Sequence, residues 1–341
     1  MTRIATAVFA AAACLALAYA SAAQAQTITW QDHKINPAGF WLTANEIAFA
    51  KQVEEATAGR FKINVFPAGS SGFRDKQVLD AVSENLLPMA EVWGGHVAGQ
   101  EPVMELMDLP LFVPGDTAFR VKLWEALRPL YADLLKRKYK VHLYDLMQLN
   151  PRRLFTKTPV RTLADLKGLK IRAIGPADAA WVRGLGAEAT TTNWNELYTA
   201  LQQKVVDGHM AAYGPQVAMK FNEVTEYIYE MANAGPSFFI LVNETALGKL
   251  PADIRETFLS MRPTLTAANR TSYETLDPKA RAALIERGMK VNPASDADQA
   301  KMREVAKPIV EQWASRLRPD GRKIYDVAKA MIDAHYAAGG K

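Results

Sequence analysis

The segment from residue 163 to residue 208 decides the fold of this chain. It contains Leu163-Ala164-Asp165-Leu166-Lys167-Gly168-Leu169-Lys170-Ile171-Arg172, then Trp194-Asn195-Glu196-Leu197-Tyr198, and then Val206-Asp207-Gly208. Residues 169–173, 188–190 and 208–212 have the short apolar pattern of strands, and residues 178–185 and 196–204 have helical periodicity. Strands that alternate with helices in this way predict an α/β unit.

The same alternation occurs earlier in the chain. We predict strands at 27–30, 61–66, 89–93 and 141–147, and helices at 40–58, 75–86 and 119–138. Residues 238–242 are apolar and are predicted to form a strand that returns to this first unit. Two successive α/β units predict two lobes with a cleft between them, each lobe a mixed sheet flanked by helices.

A long helical pattern follows, from residue 252 to about residue 287. Pro263 and Pro278 are expected to bend or interrupt it, because proline removes a helical hydrogen bond. Such a length is sufficient to span both lobes. We assign residues 26–149 and 238–277 to the first lobe, and residues 150–237 and 278–341 to the second.

The amino-terminal segment has the features of a cleaved signal peptide. A positive start at Arg3 precedes an apolar stretch over residues 4–19, and Ala23-Gln24-Ala25 supplies a cleavage pattern, so we predict a signal peptide over residues 1–25. The only cysteine, Cys14, lies inside it, which leaves no disulfide in the mature chain. The net charge of +5 suits an anionic ligand but lacks the clustered basic stripe of a nucleic-acid-binding protein.

No motif for catalysis or for a cofactor is present in the sequence. The histidines His33, His96, His142, His209 and His335 lack the spacing of a metal site. The run Gly69-Ser70-Ser71-Gly72 lacks the spacing of a serine nucleophile and is predicted to be a turn. We therefore predict no catalytic residue, no metal and no cofactor, and binding is favoured over catalysis.

These motifs together resemble the solute receptors of the tripartite ATP-independent periplasmic (TRAP) transporters. The resemblance rests on residues 152–159, 165–172, 194–202 and 206–208, on Gly59-Arg60-Phe61 with residues 65–69, and on Asp108-Leu109-Pro110. It covers nearly all of the chain that follows the signal peptide. It implies a two-lobed periplasmic binding protein that takes a small organic acid and delivers it to the membrane subunits of a TRAP transporter.

Arg172 is the residue on which the functional prediction depends. In a strand, Lys170 and Arg172 face away from Ile171, and the pattern alone makes Arg172 an exposed residue. The resemblance implies instead that Arg172 holds the ligand carboxylate and that Arg152 assists, with Arg153 as the alternative to Arg152. A guanidinium group suits this role because its paired donors match the two oxygens of a carboxylate.

Further residues are predicted to line the cleft. The resemblance places Trp194 and Trp93 against the ligand, and His33 and Tyr213 are also candidates. Ala211 occupies a position where many members of that family carry a polar side chain, often asparagine. We therefore expect an acid with an apolar or aromatic body rather than a highly polar sugar acid.

Two other functions remain as alternatives from the sequence. A receptor of an ATP-driven importer would use the same two-lobed design, but the run over residues 165–172 argues against it. A periplasmic enzyme would require an acid/base pair or a nucleophile near Arg172, and no residues have a recognisable spacing for that.

Overall fold

The computed structural model describes residues 27–340, so the predicted signal peptide lies outside the described residues. The strands are β1 (Ile28–His33), β2 (Phe61–Phe66), β3 (Met89–Trp93), β4 (Val141–Gln148), β5 (Arg152–Thr156), β6 (Lys170–Arg172), β7 (Glu188–Thr190), β8 (Gly208–Ala211), β9 (Tyr227–Asn233), β10 (Ser237–Asn243) and β11 (Lys290–Pro293). The helices are α1 (Trp41–Ala56), α2 (Val78–Ser83), α3 (Gly94–Val97), α4 (Thr117–Tyr139), α5 (Pro176–Gly184), α6 (Leu197–Gln202), α7 (Tyr213–Ala218), α8 (Glu244–Lys249), α9 (Ala252–Ser260), α10 (Arg262–Glu286), α11 (Asp296–Ser315) and α12 (Pro319–Ala337). Within this described part, no helix has both the length and the hydropathy needed to cross a bilayer.

The first sheet has the strand order β2-β1-β3-β10-β4. Strands β1, β2 and β3 are parallel, whereas β10 is antiparallel to both β3 and β4. Every residue of β3 and β10 is buried, because helices and turns cover both faces at the centre of the sheet. The prediction that residues 238–242 return to the first unit is confirmed.

The second sheet has the order β11-β9-β5-β8-β6-β7. Strand β5 is antiparallel to β8 and β9, and β6 is parallel to β7 and β8. On one face, Ile171 and Met210 pack with Trp181 of α5 in a separate apolar core. The other face carries Arg172 and turns towards the first lobe. The two mixed sheets, each with its own helices, confirm the predicted α/β architecture.

Two short segments connect the lobes and run side by side. They are residues 149–151, between β4 and β5, and residues 234–236, between β9 and β10. The Leu149 N–H donates to the Pro236 carbonyl at 2.8 Å. A Cβ at Gly235 would lie 1.9 Å from the Leu149 carbonyl oxygen, so only glycine permits this approach. The paired segments form the connection about which the lobes can rotate.

The long helical pattern divides into α9 and α10, and Pro263 lies in the first turn of α10. Proline is tolerated there because the first N–H groups of a helix have no intrahelical partner. Pro278 lies inside α10, which continues through it. The predicted helical pattern is thus interrupted at Pro263 and continues through Pro278.

Helix α10 packs on both lobes. Asn45 of α1 donates from Nδ2 to Asn269 Oδ1 at 3.0 Å, and the backbone N–H of Tyr213, at the start of α7, donates to Asp277 Oδ1 at 3.0 Å. Helix α1 lies against the first sheet and α7 follows β8 of the second sheet. The predicted long helix that spans both lobes is therefore present.

The exact lobe boundaries stay a prediction. Helix α11 packs against α5 in the second lobe, whereas α12 packs against α4 and the turn Pro102–Asp108 in the first. These contacts favour counting α12 with the first lobe, although it follows α11 in the chain.

Candidate ligand-binding site

Arg172 is the last residue of β6 and is only 2% exposed. Its Nε donates to the Thr192 carbonyl at 3.1 Å, and its guanidinium lies 5.4 Å from the centre of the Trp194 ring. Burial lowers the pKa of Arg172 to about 10, which Asp75 and Asp178 partly oppose, so the group is a cation at neutral pH. The expectation from the strand pattern alone, that Arg172 is exposed, is wrong because the first lobe covers this face of β6.

A histidine of the first lobe meets Arg172 across the cleft. His96 Nε2 lies 3.4 Å from Arg172 Nη2, and His96 Nδ1 lies 3.6 Å from Asp75 Oδ2. Burial lowers the pKa of His96 to about 4, with Arg172 adding to the effect, so the ring is neutral at pH 7. Nε2 can accept from Arg172 only when the ring proton is on Nδ1, towards Asp75. Asp75 and His96 thus hold the guanidinium in place from the first lobe.

The two predicted tryptophans come together at the same point. The rings of Trp93 and Trp194 are 5.8 Å apart, and Trp93 also stacks on His96 at 5.2 Å. Trp194 Nε1 donates to Asn36 Oδ1 of the first lobe at 3.1 Å, and Trp93 Nε1 donates to Glu91 Oε1 at 2.8 Å. Each ring is therefore fixed by a hydrogen bond as well as by packing.

The side chains of Arg152 and Arg153 have different partners. Arg152 Nε donates to the Ala234 carbonyl at 2.7 Å, and Nη1 pairs with Asp178 Oδ2 at 3.0 Å. Arg152 is close enough to Arg172 to lower its pKa further. Arg153 instead stacks over the Tyr213 ring at 5.2 Å. Asp178 Oδ2 also accepts the Ile174 N–H, two residues after Arg172, so Arg152 is held close to the end of β6. Which of the two arginines contacts the ligand stays a prediction.

Of the three remaining predicted residues, two lie with Arg172 and one does not. His33 is fully buried, its Nδ1 is 2.6 Å from Ser71 Oγ, and burial lowers its pKa to about 4, with Asp75 near enough to oppose the shift. Ala211 is buried on the face of β8 that includes residue 209. The Tyr213 hydroxyl donates to Glu230, on the side of Arg153, so Tyr213 is separated from the Arg172 group. Direct contact of these residues with a ligand stays a prediction.

Sequence reasoning missed four residues of this group. They are Asn36, Asp75, His96 and His209. His209 is fully buried beside Arg172 in the sheet register, and burial lowers its pKa to about 3. The histidines were visible in the sequence, but His96 is 76 positions from Arg172. His209 is beside Arg172 because β6 and β8 are neighbours in the second sheet, whereas His96 meets Arg172 only because the first lobe lies against the second.

A cavity of about 600 Å³ opens beside Arg172. Its lining comes from both lobes and includes Asp75, His96, Arg172, Thr192 and Asn195. A volume of this size is in the range of small-molecule sites.

Comparison with known proteins identifies the chain at the family level. A sequence profile of the bacterial extracellular solute-binding proteins of family 7 (DctP) matches residues 37–316. The chain belongs to this family. The predictions of a TRAP solute receptor and of its two-lobed fold are therefore confirmed.

Individual relatives agree with this membership. A solute-binding protein of Verminephrobacter eiseniae is 27% identical over 271 residues, 78% of each chain. The monocarboxylate 2-oxoacid-binding periplasmic protein of Nostoc sp. is 27% identical over 78% of this chain and 74% of its own. The crystal structure of an extracytoplasmic solute receptor of Bordetella pertussis that binds pyroglutamic acid superposes with a TM-score of 0.83 at 26% identity, covering 89% of this chain and 100% of the other.

Proposed function

We propose that this receptor binds a small monocarboxylate between its lobes in the periplasm and delivers it to a TRAP-type membrane transporter, without chemical change. One observation carries the proposal. Arg172 Nη1 and Arg152 Nη2 are both buried and, among the described residues, have no hydrogen-bond partner. Buried donors without acceptors are costly, and a ligand carboxylate supplies the missing oxygens.

The other side chains around Arg172 favour a ligand whose body is compact and either apolar or cyclic. Trp93, Trp194 and His96 provide flat ring surfaces, and Ala211 provides no polar side chain. Two relatives support a small monocarboxylate, since one binds pyroglutamic acid and another binds 2-oxoacids. His33 Nε2 is buried without a partner among the residues described, so a polar atom on the ligand body would find a hydrogen-bonding group there.

Closure of the lobes is the conformational change by which the ligand-bound receptor would differ from the ligand-free one. The Trp194–Asn36 hydrogen bond and the Arg172–His96 contact both join the second lobe to the first. Such contacts form only when the cleft is closed, and a ligand held by both lobes shifts the equilibrium towards that state. The closed form is the species we propose to dock on the transporter.

The test begins with the molecule that the protein carries. Receptor purified from the periplasm is denatured and the released small molecules are identified by mass spectrometry, beside a thermal-shift panel of pyroglutamate, pyruvate, galactonate and succinate. We expect a monocarboxylate to be released and to raise the melting temperature. Binding of sugar acids or dicarboxylates alone would overturn the proposed ligand body, and turnover of a bound acid, followed by NMR, would show an enzyme.

A further inference from the structure

A second cavity, of about 680 Å³, lies apart from Arg172 beside the connection between the lobes. Its lining includes Pro114, Asp116, Arg120, Pro151, Ala234 and Arg303. Pro151 and Ala234 belong to the two connecting segments. Arg120 is on α4 of the first lobe, whereas Gln299 and Arg303 are on α11, which packs on the second. The cavity is thus walled by both lobes.

Two guanidinium groups in this lining have no counter-ion. Within residues 27–340, neither Arg120 nor Arg303 has a carboxylate at ion-pair distance. The acid in the lining, Asp116, uses Oδ1 to accept the Phe119 N–H at 2.7 Å and so caps α4. The lining therefore contains two guanidinium groups and one carboxylate, Asp116, which does not pair with either of them.

Arg120 is the more unusual of the two because it is only 2% exposed. Its Nε donates to the Pro114 carbonyl at 2.6 Å, but Nη1 is buried without a hydrogen-bond partner in the described chain. Burial lowers the pKa of Arg120, and nearby Arg153 adds to the shift, although Tyr273 opposes it. The described residues supply too few hydrogen-bond acceptors for this buried cation, and a bound anion would supply the missing one.

Tyr336 lines the same cavity as the two guanidinium groups. Burial raises the pKa of Tyr336, and Arg303 and Arg120 both act against that shift. The half-buried Gln299 of α11 adds an amide to the same wall.

We propose that this cavity is a second binding site, in which a small oxyanion, a phosphate or a carboxylate, bridges Arg120 of the first lobe and Arg303 of the second. A guanidinium group pairs with two oxygens of either anion, and two such groups from different elements fix the anion between them. The anion would join α4 to α11 next to the connecting segments. This site is independent of the proposed function of the Arg172 cleft.

The experiment uses isothermal titration calorimetry of the purified full receptor with inorganic phosphate and, separately, with citrate. The informative variant is Arg303→Gln, since Arg303 is exposed and its loss leaves the core intact. Arg316→Gln is the matched control, because it removes the same charge from an exposed position at the end of the same helix and outside the lining. Arg172→Gln tests whether the anion enters the cleft instead.

We expect saturable binding of at least one anion by the wild type, weakened about tenfold in Arg303→Gln, as for the loss of one charge-assisted contact. Arg316→Gln should bind both anions like the wild type, and Arg120→Lys, which keeps the charge but loses the paired donors, should also weaken binding. Arg172→Gln, which alters the carboxylate cleft, reports only on binding that takes place there. If one anion binds more tightly than the other, the natural ligand is assigned to the chemical class of that anion. The proposal is overturned by an absence of saturable binding, by equal losses in Arg303→Gln and Arg316→Gln, or by a loss confined to Arg172→Gln.

Discussion

Lys34 in the first lobe is a buried cation with two carboxylates beside it, whereas Arg172 and Arg152 in the second lobe are buried guanidinium groups with nitrogens that have no partner among the described residues. Lys34 of the first lobe is fully buried and pairs with Asp32 at 3.1 Å and with Glu46. Arg172 and Arg152 of the second lobe each retain an unpartnered nitrogen within the described residues. The charge of Lys34 is thus balanced within the first lobe, whereas we expect Arg172 and Arg152 of the second lobe to bind a charged ligand.

This difference assigns separate tasks to the lobes. Burial alone would lower the pKa of Lys34, but Asp32, Glu46 and Glu91 together raise it, so the lysine is a permanent internal counter-ion. Glu91 also holds Trp93, which connects this network to the cleft. Around Arg172, the second lobe supplies the Trp194 ring and the first lobe supplies the rings of Trp93 and His96. We expect the second lobe to bind the ligand charge.

The largest expected effect comes from breaking the internal pairing of the first lobe. Lys34→Met leaves Asp32, Glu46 and Glu91 buried without their cation, and should reduce the free energy of unfolding by about 3–5 kcal/mol. Urea denaturation measures this change. Lys51→Met, an exposed lysine of α1, is the control and should change stability by less than about 0.5 kcal/mol. Equal stability of Lys34→Met and wild type would contradict the pairing.

Removing the ligand-directed charge of the second lobe should affect binding rather than folding. Arg172→Ala is expected to weaken binding of the carried acid by about 2–5 kcal/mol, because the ligand carboxylate loses a desolvated partner. Calorimetry with the acid identified by mass spectrometry measures it. Arg153→Ala, on the same sheet but turned towards Tyr213, should bind normally. Near-wild-type affinity of Arg172→Ala would refute the site.

The neutral His96 of the first lobe should make stability depend on pH. Its folded pKa is about 4, whereas an unfolded histidine has a value of 6.5. Between these values the unfolded state binds a proton that the folded state does not, so stability falls as the pH decreases from 6.5 to 4. This group contributes at most about 3 kcal/mol to that loss. Thermal unfolding of His96→Gln across this range should show a shallower slope, and an unchanged slope would contradict the assignment.

The smallest expected effect concerns the hydrogen bond that closes the cleft. Trp194→Phe removes the donor to Asn36 and should weaken ligand binding by about 0.5–1.5 kcal/mol, the usual value of one hydrogen bond. Trp313→Phe is the matched control, since the Nε1 of Trp313 has no hydrogen-bond partner among the described residues. If both variants lost the same affinity, the interlobe bond would not be the cause.

The regular elements of the chain were largely predictable, and the elements that were missed have two causes. Strands β2, β3 and β7 match their predicted limits, and in β2 the alternation of Phe61, Ile63 and Val65 is uninterrupted. Strand β5 was not predicted as a strand, since Arg152 and Arg153 interrupt its pattern. Strands β9 and β11 and helices α11 and α12 were also not predicted. They lie late in the chain, and they pack against elements that are far away in sequence.

The candidate site was predictable only in part. Arg172, Trp93 and Trp194 followed from motifs, and the structure brings these three together. The sequence left Arg152 and Arg153 as alternatives, because adjacent residues of a strand differ only in the face they occupy. Tyr213 follows β8 closely in the chain, yet its hydroxyl turns to Glu230 on the other side.

By itself, the sequence determined the alternating α/β pattern and the two lobes, and it singled out Arg172 as a candidate, since these depend on local periodicity and short motifs. Only the tertiary structure decided that Arg172 is buried, that His96 meets it, and that Asp75 lies behind His96. Those facts depend on contacts between residues far apart in the chain. No local pattern encodes them, because they exist only when the first lobe lies against the second.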